Sequence, residues 1–290
     1  MEVDGIWSNE IPSQLEHVDE VYNKIEEVLE MFDISNEYDT KYYINSTTFY
    51  EEKIGDVMFT DWLYDFSKPD LKDVKKELSI KLGKATDIDL DVYANMKETL
   101  EDRTLTDKSF LVSINKQNDM CVWNKEDYFE IKRNFLLMID NKNQFMDNVG
   151  ECFSNIYFDS NVKSSINSLN NQFVNIKGEI INHLRMLNNY SSSFVDHRNA
   201  GDDNRKICSA FKAFASIECS PQAGRENTKD LTKKFYSEIE DKEIEICCEL
   251  HTKFSNFNRN REKQDRIYFH PGFPGVKGGK VIVIHIGDHI

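Results

Sequence analysis

The segment DRIYFHPGFPGVKGGKVIVIHIGDHI, residues 265–290, alternates apolar and ionisable side chains with a period of two, and this constrains the fold more than any other feature. Side chains along a strand point to opposite faces in turn, so Arg266, Tyr268 and His270 share one face while Ile267 and Phe269 take the other. Within the final strand His285, Gly287 and His289 share a face opposite Ile282, Ile284 and Ile286. Just upstream, KEIEICCELHTKF places Glu249, His251 and Lys253 on one side and Ile246, Cys248 and Leu250 on the other. If the three strands pair in sequence their apolar sides must coincide, because a slip of one residue would turn the isoleucines to water. The pattern therefore predicts an apolar face packed on helices from 163–190 and an opposite, solvent-exposed face carrying the ionisable groups.

That set suits phosphodiester chemistry. Histidine exchanges protons near neutral pH. Arginine offers a planar fork to phosphate oxygens, lysine a point charge, and tyrosine a stacking face or a hydrogen bond. The first candidates for catalysis are Arg266, His285 and Lys253, followed by His251, Tyr268, His270 and His289. A second reading of the same pattern is an antiparallel sheet with one ordinary wet face. A metal held by His285, His289 and Glu249 or His251 is disfavoured, because an i,i+4 pair on a strand lies about 13 Å apart. No metal and no cofactor are expected.

Basic residues elsewhere extend the picture. Lys277 and Lys280 in FHPGFPGVKGG form either a phosphate-cradling loop or part of a plain hairpin connection. Arg225, Lys229 and Lys233, with Lys234, have near-helical spacing that suits either an RNA track or a solvated helix face. The six cysteines contain no CxxC pair and read as reduced, mostly buried thiols.

A chain of 290 residues accommodates two domains, and its charge is uneven. Residues 1–150 carry 17 Lys and Arg against 33 Asp and Glu, or −16, whereas residues 151–290 carry 19 against 18, or +1. The polar stretch 140–151 places the boundary near 148, giving an acidic α+β domain over 1–148 and a second domain over 149–290. In the first, helices are predicted at 13–32, with Ser13 as N-cap, from 68 and from 124, and strands in TKYYINSTTFY, KSFLVSI and MCVW. In the second, a strand in CFSNIYFDSNV precedes one long or two consecutive helices with a stripe of Ile166, Leu169, Phe173, Ile176, Ile180, Ile181, Leu184 and Leu187. A polar loop and three strands follow. No repeat, GxxxxGK[ST] or GxGxxG is present. With no apolar run near 18 residues and no signal-peptide layout in MEVDGIWSNE, a cytoplasmic protein that does not span a membrane is expected.

The order β-α-α-β-β-β, ending in RIYF and GKVIVIHIG, resembles the RelE/YoeB-like fold of bacterial toxin ribonucleases over residues 152–290. The resemblance implies an antiparallel sheet and metal-independent RNA cleavage by 2′-OH attack, with RNA or the ribosome as partner. It matches Arg266 to the arginine of the third strand and Lys253 or His251 to basic residues of the second. His285 and His289 match positions where the last strand and tail supply His or Tyr. Two functions follow as expectations. One is a toxin-like RNA-binding or RNA-cleaving effector of defence or growth control, its acidic half meeting a protein partner or regulator. The other is a non-catalytic interaction protein, antitoxin-like or phage-derived, that uses the sheet as scaffold.

Overall fold

The computed structural model describes residues 3–8, 18–51, 53–54, 57–101, 109–114, 120–222, 229–255 and 263–290. Its contacts gather into two units, Met1–Phe135 and Leu136–Ile290. The first carries 16 Lys and Arg against 31 Asp and Glu, or −15, and the second 20 against 20, so the entire net charge belongs to unit one. The chain as a whole is of mixed α and β structure.

Unit one contains β1 (Asp4–Trp7), α1 (Val18–Asn36), β2 (Lys41–Ile44), α2 (Ser46–Glu51), β3 (Lys53–Ile54), β4 (Val57–Met58), α3 (Phe59–Tyr64), α4 (Pro69–Leu82), β5 (Thr86–Asp87), α5 (Leu90–Glu101), β6 (Ser109–Val112), β7 (Cys121–Val122) and α6 (Lys125–Leu136). Its main sheet runs β5-β2-β1-β6-β7 with every pair parallel. Parallel neighbours need crossovers, which α1, α4 and α5 supply between successive sheet strands. All four residues of β6 are buried, as befits a strand covered on both faces. Helix α1 buries Val21, Ile25, Val28, Leu29 and Phe32 along one stripe, and α4 begins on Pro69, whose missing N–H costs a first turn nothing. The expected strand TKYYINSTTFY is half strand and half helix, because Ser46–Glu51 folds as α2 with the Asn45 carboxamide oxygen accepting from the Thr48 N–H at 2.9 Å. The expected cap Ser13 lies outside the described residues.

Unit two contains α7 (Lys142–Val149), β8 (Ile156–Phe158), α8 (Val162–Ser165), α9 (Phe173–Asn189), α10 (Ser191–Asn199), α11 (Asn204–Ala215), β9 (Cys219–Pro221), β10 (Thr232–Ser237), β11 (Lys242–Cys247), β12 (Leu250–Lys253), β13 (Arg266–His270) and β14 (Val281–Gly287). The whole expected helical stripe from Ile166 to Leu187 is buried. The main sheet runs β8-β14-β13-β12-β9 and is antiparallel except for β8, which lies parallel to β14. The expected polar stretch 140–151 holds a helix, α7, capped by the Asn141 side chain. The expected polar loop after residue 190 is largely two helices, α10 and α11, which bury Phe194, Ile207, Cys208 and Phe211. KEIEICCELHTKF is not one strand: β11 pairs with β10 in a separate hairpin, and only β12 joins the main sheet.

Candidate functional site

The pairing of β12, β13 and β14 brings the ionisable residues side by side. His251 stands opposite Tyr268, and Tyr268 opposite His285, forming one row; Lys253, Arg266 and Gly287 form the next. Thr252, Ile267 and Ile286 line the reverse face. There the Thr252 hydroxyl meets His183 Nδ1 of α9 at 3.0 Å, and Ser165 Oγ accepts from the Ile286 N–H at 3.0 Å.

The register shifts between Tyr268 and Phe269, where His285 and then Val283 face consecutive β13 residues. Ile284 is therefore the extra residue of a bulge. Beyond it Ile282 faces His270, and Ile282 and Ile284 join Tyr268 in one apolar cluster instead of sharing the face of Ile286. The expected isoleucine face is split by that single residue.

Expectation and structure differ most over solvent. Leu231, Phe235, Ile246 and Cys248, from the β10–β11 hairpin and its flanks, pack on Tyr268, Ile282 and Ile284. The face expected to be wet is a second apolar layer, and Tyr268, His251, Arg266 and His285 are 0, 3, 6 and 8 % exposed. Lys253, His270, His289 and Glu249 are half-buried. Glu249 turns to Asn204, whose Nδ2 donates to Oε1.

Burial sets the chemistry of the row. His251 is pushed down to about 3 by desolvation, with the charges of Arg266 and Lys253 acting in the same direction. Its ring lies 5.0 Å from that of Tyr268, and Nε2 is 3.1 Å from Ser220 Oγ on the edge strand β9. His285 is lowered by burial, with Asp288 opposing; its Nε2 lies 2.9 Å from the Asp288 carbonyl, an acceptor, which assigns the proton to Nε2. The Tyr268 hydroxyl is raised by burial and eased by Arg266, whose Nη1 donates to it at 3.2 Å. The same hydroxyl accepts from the Ile290 N–H at 3.3 Å and donates to the Ile290 carbonyl at 3.4 Å. Gln222 Nε2 also donates to that carbonyl, at 3.1 Å, so the tail 288–290 is strapped over Tyr268.

The remaining candidates scatter. His270 sits toward the other end of β13, lowered to about 4 by burial and then by Arg198, with its ring 6.3 Å from Phe273. Lys277 and Lys280 are exposed, and Lys277 Nζ lies 4.7 Å from the centre of the Tyr157 ring. Lys233 lies on strand β10 and Lys229 in the preceding turn, which overturns the helical spacing; Arg225 lies outside the described residues. Among the described residues no three His, Cys, Asp or Glu side chains gather as metal ligands.

One constellation escaped the sequence reading. His197 Nδ1 lies 2.7 Å from Asp202 Oδ2, and Nε2 lies 3.0 Å from the Tyr190 hydroxyl, an Asp–His–Tyr relay. Tyr190, Phe194 and His197 are spaced by four and three, a helical signal masked by the Ser-rich run SSS. No family model, curated protein or solved structure matches the chain.

Proposed function

We propose that the Leu136–Ile290 unit is a toxin-like, RelE-type RNA-binding and RNA-cleaving module, here in a closed state. The observation that supports this reading is the register, which sets Arg266, Tyr268 and His285 within one two-row patch of three adjacent strands. Arg266 would hold the phosphate, aided by Lys253; His285 and the Tyr268 hydroxyl would move protons during 2′-OH attack, without a metal. His251, neutral at physiological pH, would position Tyr268. The −15 charge of unit one suits a cationic protein partner or regulator, consistent with an effector of defence or growth control.

A closed site must open, and magnitudes decide how. Lifting the hairpin would expose Leu231, Phe235 and Ile246, at about 1.5–3 kcal/mol each. Freeing Ile290 breaks three hydrogen bonds of roughly 0.5–1.5 kcal/mol each. The tail is the cheaper door. Labelled RNA should be cut faster by a protein carrying Gln222→Ala and lacking Ile290, in the presence of chelator, and not by the same protein with Arg266→Ala or His285→Ala.

Burial of the row favours a second reading, a non-catalytic interaction protein in which these groups only specify the packing of two layers. If the tail-loosened protein leaves RNA intact, with and without ribosomes, while still folding, this second reading replaces the first.

A further inference from the structure

Helix α11 and edge strand β9 each carry a cysteine, and the sulfurs of Cys208 and Cys219 lie 3.1 Å apart as free thiols. The chain between them is shaped for that meeting. Helix α11 ends at Ala215, Ser216 adopts a left-handed conformation (φ 56°) that reverses the chain, and its N–H bonds the Lys212 carbonyl at 2.9 Å. Lys212 Nζ and Glu218 Oε1 pair at 2.5 Å across the same turn, and β9 is held from its other side by β12. Two sulfurs on elements fixed in this way need to approach by about one further ångström to reach bonding distance near 2.05 Å.

We propose that Cys208 and Cys219 are a redox-modification site, forming a reversible disulfide by exchange with a low-molecular-weight disulfide such as glutathione disulfide. Cys219 is the more accessible of the two to an oxidant from solvent. Its thiolate attacks one sulfur of the oxidant, releasing one glutathione thiolate and leaving a mixed disulfide. The Cys208 thiolate then displaces the second glutathione, so two S–H bonds are lost, one protein S–S bond forms, and two electrons reduce the oxidant to two thiols. The hydrogen bond from Cys219 to Cys208, together with burial, raises the Cys219 thiol, so the exchange accelerates as pH rises. The crosslink joins α11 to the sheet edge. It also anchors Ser220, the outer contact of His251.

The test treats the folded full-length protein with excess glutathione disulfide and maps its peptides by mass spectrometry, alongside a thermal melt. The expected result is a Cys208–Cys219 linked peptide lighter by two hydrogens, with a raised melting midpoint that dithiothreitol reverses. Cys208→Ser and Cys219→Ser proteins should show no midpoint rise; should either fail to fold, the wild-type peptide map decides alone. Glutathione adducts without the linked peptide, or a linked protein that melts no higher than the reduced one, overturn the proposal.

Discussion

Acidification should weaken unit two before its carboxylates are protonated, and His251 offers a clean way to measure why. Its ordinary value is 6.5, and burial takes it to about 3 in the folded chain. The unfolded state therefore binds a proton that the folded state refuses, so this contribution is complete above about pH 6.5 and is lost as pH falls toward the folded value. Between those limits the slope is about 1.4 kcal/mol per pH unit for one histidine, so moving from about pH 7 to about pH 5 removes roughly 2 kcal/mol. A folded value one unit higher hardly alters that figure, since both lie well below the window. His183, also lowered to about 3 by burial, and His270, at about 4, act in the same direction. Urea unfolding of wild type and His251→Gln across this range reads the effect directly. The variant should lose stability with a slope shallower by nearly one proton. Identical slopes would mean that His251 is already solvated or protonated in the folded protein, and the sealed row described above would be wrong.

Other perturbations give equally direct readings. Tyr268→Phe removes one acceptor of the Arg266 guanidinium and the acceptor oxygen that faces the Ile290 N–H, and should lower stability by about 1–3 kcal/mol in chemical denaturation. Gly272→Ala would force a side chain onto a backbone with φ 93° and into the Gly279 and Lys280 carbonyls, so a drop of several degrees in melting temperature is expected, whereas Gly278→Ala, whose Cβ meets nothing, should suffer less. Phe235→Ala should cost about 3–5 kcal/mol and raise the exchange rate of β13 amides, because it removes part of the layer over Tyr268.

The alternation within residues 250–253 and 266–270, and at 285–287, was enough to put His251, Tyr268 and His285 on one face of neighbouring strands, although the one-sided isoleucine face expected to fix their register is not what the structure holds. It could not announce the bulge at Ile284, which changes no residue type and shows only when two strands are paired. Nor did it reveal the cover. Phe235, Ile246 and Cys248 look like parts of an ordinary strand, and nothing local says that the break between Cys247 and Leu250 sends β11 across the ionisable face. Helix α11 was legible in Ile207, Cys208 and Phe211, but NAGDDN before it drew the whole stretch into a loop. In unit one the strands are two to four residues long, too short for periodicity to separate a parallel sheet from a mixed one.

The order of the second sheet has one more effect. Strand β14, with seven buried residues of which five are valine or isoleucine, has the composition of a self-associating segment, yet it is flanked on both edges, by β8 and by β13. The outer strands of that sheet, β8 and β9, are three residues each, which leaves a second molecule little ladder to extend. A chain deprived of β8 would uncover the Val281–Val283 edge and should accordingly self-associate, which light scattering at rising protein concentration would read.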